Sequence, residues 1–108
     1  MASEVLKVAL KAGLTNSEHV MINGASGHTY TVLSFTVCET AGAAETFDVY
    51  IDEDGSGTDY EIYSDQAIGA NETFEHTGRI VLEGTDHLCF AASAGNMDVV
   101  VSYLDQTL

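Results

Sequence analysis

The chain has 108 residues, of which 17 are acidic and only three are basic, so its formal charge at pH 7 is −14. Hydrophobic residues make up 45% of the sequence and charged residues 19%, a balance that favours a folded domain over a disordered segment. A chain of this length buries roughly 65% of its unfolded surface, which is enough for one core. Nucleic acids and anionic membranes are excluded as expected partners, because three cations cannot form a phosphate-binding surface.

Short runs of alternating apolar and polar residues predict strands throughout the chain. Ten glycines occur about once every ten residues and proline is absent, a spacing typical of β-structure. In one run Leu33, Phe35 and Val37 alternate with polar residues, so we expect these three side chains on the same face of a strand. The predicted strands cover residues 18–23, 29–38, 45–51, 60–65, 71–76, 78–83, 86–92 and 97–104. Strands that follow one another without helices indicate a sandwich or barrel, and we expect an all-β, jelly-roll-like antiparallel sandwich of about eight strands.

The segment before these strands is compatible with two structures. Leu6, Val8 and Leu10 alternate as in a strand, but polar residues at both ends of the segment would also cap a helix. We expect residues 1–13 to form a first strand or an extended N-terminal arm, and residues 14–108 to form the sandwich domain. No apolar run approaches the length of a membrane span.

The three cations are the exceptions in an acidic sequence. Lys7 and Lys11 share one face of the N-terminal segment in either structure, since a spacing of four fits both periods, and Arg79 lies far from them in the sequence. These lysines either relieve self-repulsion or dock the segment onto an acidic neighbour, such as a second copy of the chain. Charges interrupt the run from Met1 to Lys7 before a signal-peptide core can form, so we expect synthesis in the cytosol.

The run from Asp52 to Asp59 resembles the first half of a calcium-binding loop. Carboxylates alternate there and are followed by serine and glycine, the residue types that present oxygen ligands around a tight turn. The twelfth position of such a loop holds Tyr63 in place of the bidentate glutamate. We therefore predict a solvated acidic hairpin loop that binds calcium weakly at most.

The remaining chemistry-bearing residues do not form a recognisable catalytic or metal-binding pattern. Cys38 and Cys89 are too few for a disulfide framework, and we expect free buried thiols, with a single bridge as the alternative. The four histidines, none with ligand spacing, are His19, His28, His76 and His87. The sequence contains neither a nucleophile elbow nor a phosphate loop. We assign no catalytic, cofactor-binding or metal-binding residue, and we expect a protein that is not an enzyme.

Runs in both halves of the sequence carry a resemblance to known proteins. In the first half they are Ala12–Thr15, Tyr30–Cys38 and Glu45–Ile51, and in the second half Gly78–Leu88, Ala91–Ala94 and Val99–Tyr103. Together, across residues 12–104, they resemble strands and turns of small β-sandwich virion structural proteins of tailed bacteriophages. The sequence departs from that group at the turn Ile22–Ala25, at Glu39, where an asparagine often ends the strand, and at Thr85, which lengthens a Gly-Asp turn.

The resemblance implies a structural role in a phage particle. Members of that group are β-sandwiches, frequently trimeric, that decorate capsids as cement proteins or serve in tails, fibres and head appendages. The corresponding expectation is a homotrimeric capsid decoration (cement) protein that binds the major capsid protein or another virion protein. We expect it in the virion after synthesis in the host cytoplasm. A tail, fibre or head-appendage component is the alternative within the same group.

A carbohydrate-binding β-sandwich module is the competing interpretation. Aromatic rings on such a module stack against sugars, and the rings available here are Tyr30, Tyr50, Tyr60, Tyr63 and Tyr103. The sequence contains no tryptophan, and tyrosines in strands commonly pack within a sheet. The position of each ring in the fold distinguishes these two uses.

Overall fold

The computed structural model describes residues 2–107 and shows two antiparallel sheets packed together, which confirms the predicted all-β sandwich. The strands are β1 (Ser3–Leu14), β2 (His19–Asn23), β3 (His28–Glu39), β4 (Glu45–Asp52), β5 (Asp59–Ile68), β6 (Thr73–His76), β7 (Ile80–Glu83), β8 (His87–Ala92) and β9 (Met97–Thr107). A short 3-10 turn, Glu53–Gly55, follows β4. Within the described residues, no helix has the length and apolar character to cross a membrane.

The strand order is that of a jelly roll. Sheet A has the order β1-β9-β3, and both β6 and β7 pair with the far side of β3; sheet B has the order β2-β8-β4-β5. An eight-stranded jelly roll divides its strands equally between two sheets. Here β6 and β7 share one of the eight strand positions, because each pairs with a different half of β3. The described chain therefore has nine strands in an eight-position fold.

Each of the eight predicted strands is present, and the N-terminal segment supplies the ninth. The segment forms β1, which pairs antiparallel with β9 from Ser3 opposite Thr107 to Lys11 opposite Val99. Strand β9 continues beyond its predicted end as far as Thr107, because β1 and β3 provide partners on both of its sides. Strand pairing between distant segments decides these ends, and the local sequence pattern does not contain that information.

The core lies between the sheets and contains an aromatic cluster. Phe35 of sheet A meets Phe90 of sheet B edge to face, with ring centroids 5.0 Å apart. Phe74 makes similar edge contacts with Phe47 at 5.2 Å and with Tyr63 at 5.0 Å. Aromatic pairs at these separations stabilise a core beyond the area that they bury. The cluster thus joins the two sheets near the middle of the sandwich.

The expected alternation along β3 is wrong at Leu33. The pairing of β3 with β9 shifts between Val32 and Ser34, which leaves Leu33 as an extra residue in a β-bulge. Val32 and Phe35 are therefore both buried, although they are three positions apart, while Leu33 is only partly buried. The bulge changes the phase of the strand, so that Leu33 does not share the inward face with Phe35 and Val37.

A fully buried carboxylate organises the loops at one end of the sandwich. Glu39, only 1% exposed, accepts hydrogen bonds from the backbone N–H groups of Ala41, Gly42, Ala43 and Asn71 over 2.8–3.2 Å. Burial by itself would raise the pKa of Glu39, but a hydrogen bond with the neighbouring Glu45 carboxyl group and these N–H donors lower it to about 2. An ionised acceptor satisfies amides that would otherwise lack partners.

We expect Glu39→Ala to lower the melting temperature by about 5–10 °C, because the loop amides lose their acceptor inside the protein. A lowered pKa stabilises the folded state above the ordinary glutamate value of 4.5, and this contribution is lost as the pH falls towards about 2. Glu39→Gln should therefore flatten the dependence of melting temperature on pH over this range. Glu75→Gln, at an exposed position on β6, is the control and should resemble the parent protein. Equal melting curves for Glu39→Ala and the parent protein would contradict this role.

Candidate functional site

The outer face of sheet A is apolar. Leu6, Val8 and Leu10 alternate with inward residues of β1 and are 74%, 56% and 68% exposed. Val100 lies opposite Leu10 on β9 and is 40% exposed. Val81 of β7 completes the group at 59% exposure and lies in the same cross-strand row as Leu6. We call these five side chains the apolar face.

A surface depression of about 390 Å³ lies within the apolar face. Its walls include Leu6 and Val8 of β1, Leu33 of β3, and Ser102 and Tyr103 of β9. The bulge that displaces Leu33 from the inward face brings this side chain into the depression. The β-bulge at Leu33 thus adds apolar surface on the outside of the sandwich.

The outer face of sheet B is acidic. Four carboxylates point away from the core. Two of them alternate with inward residues of β4, and the other two lie on β5 opposite outward residues of β4. They are Asp48, Asp52, Asp59 and Glu61. Desolvation, and after it the neighbouring Asp52 carboxylate, raises the pKa of Asp59. Desolvation and then Asp48 raise the pKa of Glu61 in the same way. We call these four side chains the acidic face.

Glu18 adds a further carboxylate beside the acidic face and is bound by a tyrosine. The Tyr50 hydroxyl donates a hydrogen bond of 2.6 Å to Glu18 Oε1. Burial and this hydrogen bond raise the pKa of Tyr50. Burial, followed by the charge of Glu18, also raises the pKa of the Cys89 thiol to about 12. Cys89 therefore stays protonated at neutral pH and is a poor nucleophile.

The two cysteines are free, as expected, but they differ in burial. Cys89 is fully buried in sheet B, whereas Cys38 is only partly buried in sheet A. Cys38 lies between the inward residues Val37 and Glu39, and Cys89 lies between the core residues Leu88 and Phe90. The two thiols therefore point to opposite outer faces of the sandwich and cannot form the alternative bridge.

A buried carboxylate joins the three neighbouring strands β1, β9 and β3 of sheet A near the start of β1 and the end of β9. Asp105 of β9 is 5% exposed and binds Lys7 Nζ of β1 at 2.8 Å and His28 Nδ1 of β3 at 2.7 Å. The hydrogen bond from Lys7, and then the one from His28, lower the pKa of Asp105. The same bond raises the pKa of Lys7. Lys7, expected either to relieve repulsion or to dock onto a neighbour, thus has an intramolecular partner.

We expect Lys7→Met to lower the melting temperature at pH 7 by about 5 °C, because the buried Asp105 loses a charged donor. The lowered pKa of Asp105 gives stability above its ordinary value of 3.8, and this stability disappears as the pH falls through the lowered pKa. The difference between the parent and Lys7→Met should therefore vanish in acid. Lys11→Met, four residues along the same strand, is the matched control. A difference that persists unchanged into strong acid would argue against the ion pair as its cause.

The acidic loop between β4 and β5 bonds to the turn before β8. The Thr85 hydroxyl donates to Asp54 Oδ1 at 2.6 Å, and the Asp54 N–H donates to Asp86 Oδ1 at 3.2 Å. Across the same end of the molecule Gly24 N–H donates to the Asp86 carbonyl at 3.1 Å, and a side chain at Gly24 would collide with that backbone. These contacts involve two of the three places where the sequence departs from the phage pattern, the Ile22–Ala25 turn and Thr85.

A surface depression of about 360 Å³ beside this loop is lined by Ser26, Glu53, Asp54, Glu83, Gly84, Thr85 and Asp86. Among residues 2–107, the histidine, cysteine and carboxylate side chains do not come together in a group of three that would hold a metal ion.

We expect calorimetric titration with calcium chloride to show no submicromolar site, because Tyr63 occupies the position of the bidentate ligand and packs in the core. Asp54→Asn should leave the titration unchanged and serves as the matched variant. Submicromolar binding that Asp54→Asn abolishes would show that the loop is a calcium site.

The four histidines have separate structural surroundings. His76 has three close contacts. Its ring stacks on that of Phe35, with centroids 4.8 Å apart. Its Nε2 donates to the Gly78 carbonyl at 2.6 Å, and its Nδ1 accepts from the Tyr63 hydroxyl at 2.7 Å. Desolvation, and then the charge of Lys11, lower the pKa of His19. His28 binds Asp105, and the ring of His87 lies beneath Gly55.

Most of the five tyrosines are used in packing and do not serve as the sugar-stacking platform of the competing interpretation. Tyr30 is buried, Tyr63 and Tyr103 pack against the core, and the hydroxyl of Tyr50 is bound to Glu18. Tyr60 has the most accessible ring, at 54% exposure. A single ring does not form the row of parallel platforms that sugar stacking uses.

Comparison with known proteins identifies the fold. No protein-family model and no curated protein matches the chain. A chain of the disulfide-linked pili formed by Bacillus endospore appendages is 12% identical at a TM-score of 0.61, and the match covers 100% of this chain and 91% of that one. A chain of the acidic stable capsid of Helicobacter pylori bacteriophage KHP30 is 14% identical at a TM-score of 0.54, with coverage of 100% and 94%.

A third solved structure, infectious bursal disease virus strain Gx, has a chain that is 12% identical at a TM-score of 0.51. The match covers 100% of this chain but only 33% of the viral chain. The chain has the β-sandwich of small capsid and pilus proteins. The fold expected from the phage resemblance is confirmed, and sequence identities this low establish the fold alone.

Proposed function

We propose that the protein is a non-enzymatic structural component of a virus particle that decorates the capsid and binds the shell through its apolar face. The observation that carries this proposal is the contrast between the two outer faces of the sandwich. One face exposes five large aliphatic side chains, and the other carries four carboxylates, of which Asp59 and Glu61 are exposed. A protein with such faces has one side suited to a dry interface and one suited to solvent.

The energetics of the apolar face support an interface. Fully burying a valine or leucine side chain is worth about 1.5–3 kcal/mol, so several of them together offset a substantial part of the cost of association. All five side chains lie on paired strands of sheet A: Val100 on β9, which is paired on both sides, and the other four on β1 and β7, each paired on one side. A rigid surface loses little conformational entropy on binding, which favours repeated docking on a lattice.

The acidic face supports the same orientation. A net charge of −14 keeps a protein soluble at high local concentration and repels packaged nucleic acid. An outward acidic face would place this charge in solvent after docking. The match to the KHP30 capsid chain supports a virion component of this size, because it spans nearly the whole of both chains. A homotrimer, which the phage resemblance implies, remains a prediction that the mass of the native assembly tests.

We expect the double substitution Val81→Asp and Val100→Asp to reduce binding to capsids at least tenfold, because the shell would have to desolvate two new charges. The measurement uses particles of a phage that lacks the protein, incubated with purified protein and separated by sedimentation. The parent protein should bind these particles and raise their thermal stability. The double substitution Ser64→Asp and Ala67→Asp, at exposed positions of β5, is the charge-matched control and should bind like the parent.

Equal binding by the double variant would remove the apolar face from the proposal. Localisation of the protein in the tail alone, or its absence from purified particles, would overturn capsid decoration altogether. A tail or fibre location would then favour the appendage alternative.

A filament subunit is the second candidate, because the Bacillus pilus chain has the highest TM-score of the three comparisons and is matched over 91% of its length. Electron microscopy of the concentrated purified protein, in oxidising and reducing buffer, separates the candidates. Filaments of uniform diameter would favour this second function, and discrete particles would favour decoration.

A further inference from the structure

The two sheets have four edges, and three of them are poor sites for pairing with another chain. Strands β6 and β7 have four residues each, and β2 has five residues and a register shift after Val20. Strand β5 is longer, but its pairing with β4 shifts twice, Asp65 has a φ of +51°, and Asp59 and Glu61 add negative charge. Short, bulged and charged edges resist edge-to-edge association.

The fourth edge, β1, has none of these protections over most of its length. Its register with β9 is regular from Ser3 to Lys11, and the shift comes only after Lys11. Its opposite side has no strand partner within the described residues. The strand carries one acidic residue, Glu4, and two lysines, so its local charge is +1 in a chain whose total is −14. Unlike the edge strands β5, β6 and β7, each of which carries net negative charge, β1 adds nothing to the negative charge of the chain.

We propose that β1 pairs antiparallel with β1 of a second copy of the chain, about a two-fold axis. The occupant is a second copy because β1 is the long regular edge that each copy offers, and a two-fold axis brings these identical edges together in a closed pair. The pairing joins the two A sheets into one continuous sheet. It does not depend on the proposed decoration role, and it is an alternative to the homotrimer that the phage resemblance implies; the mass of the native assembly distinguishes the two.

The charges of β1 select the register of this pair. An axis at Lys7 would place the two copies of Lys7 directly opposite each other, and an axis at Ala9 would place Lys7 opposite Lys11. Like charges directly opposite each other destabilise a strand pair. An axis at Val8 avoids both arrangements.

The matching of apolar side chains selects the same register. An axis at Leu10 would extend the pairing beyond Lys11 into the register shift, and an axis at Leu6 would place the Glu4 carboxylate opposite Val8 and Leu10 opposite Ala2. An axis at Val8 places Leu6 opposite Leu10 of the second copy. Six exposed aliphatic side chains then form one row on the outer side of the joined sheet, and like faces remain together.

Disulfide trapping tests the pair and its register. In this arrangement the two Val8 side chains have Cβ atoms about 5 Å apart, close enough for Val8→Cys to form an intermolecular disulfide after small adjustments. The two copies of Glu4 lie eight residues apart along the joined strands, about 26 Å, so Glu4→Cys should not cross-link. Both positions are exposed on the same face, which makes Glu4→Cys the matched control. Mild oxidation followed by non-reducing electrophoresis gives the readout, with the parent protein reporting any background from Cys38.

A second trapping experiment guards against a local defect of the Val8 variant. Leu6→Cys and Leu10→Cys proteins should cross-link when mixed, and neither should cross-link alone, because identical positions are about 13 Å apart in the pair. Native mass spectrometry of the parent protein should show two copies per assembly or a multiple of two. Monomers, homotrimers, equal cross-linking of Glu4→Cys, or the absence of cross-linking in both experiments would each overturn the pairing.

The outcome is independent of the capsid-binding result, because the decoration test substitutes Val81 and Val100, which lie outside β1. A pair that forms without binding capsids would retain the inference and reject the proposed function. Binding of capsids by a protein that does not pair would do the reverse.

Discussion

Strand β9 is paired along almost its whole length with β1 on one side and β3 on the other, and the rest of the sandwich depends on this arrangement. The strand is the last in the described chain and β1 is the first, so sheet A closes only when the two ends of the sequence meet. Contacts between residues this far apart in the sequence require a large loss of chain entropy before any stabilising interaction forms, and they slow folding. Asp105 strengthens this closure, because one buried carboxylate binds side chains from both neighbours of β9.

The sandwich buries one face of each sheet and leaves the other two faces free to differ. Side chains along a strand alternate between the core and the outer surface. Val99 and Val101 fill the core, and Val100 between them is exposed. In sheet B the alternation places Val49 inside and Asp48 and Tyr50 outside. The same period of two therefore builds a common core and two surfaces of opposite character. That contrast is what makes an oriented surface protein a physically reasonable role.

Acidity constrains the interior as well as the surface. Glu39 and Asp105 are buried and ionised, and each is stable there because N–H donors or cations surround it. On the acidic face Asp48 accepts a hydrogen bond of 2.6 Å from the Asp65 N–H, but the carboxylates also repel one another. This repulsion, after desolvation, raises the pKa of Asp59 and Glu61. Among the buried carboxylates Asp52 is the exception: it is 8% exposed and its Oδ1 is buried without a hydrogen-bond partner among the described residues. Most of the remaining carboxylates are partly or fully exposed, so water can solvate them.

The sequence by itself determined that the chain is an acidic β-sandwich, and it located eight of the nine strands, because alternation and turn residues are local signals. Tertiary structure decided which face of each strand is covered. Alternation assigned Leu33 to the inward face, and the bulge formed against β9 moved it outside. Glu39 looked like the polar end of a strand, Lys7 had two possible roles, and Cys38 and Cys89 had an open pairing. In each case the outcome depends on a partner many residues away, and a period of two along one strand carries no information about what lies opposite.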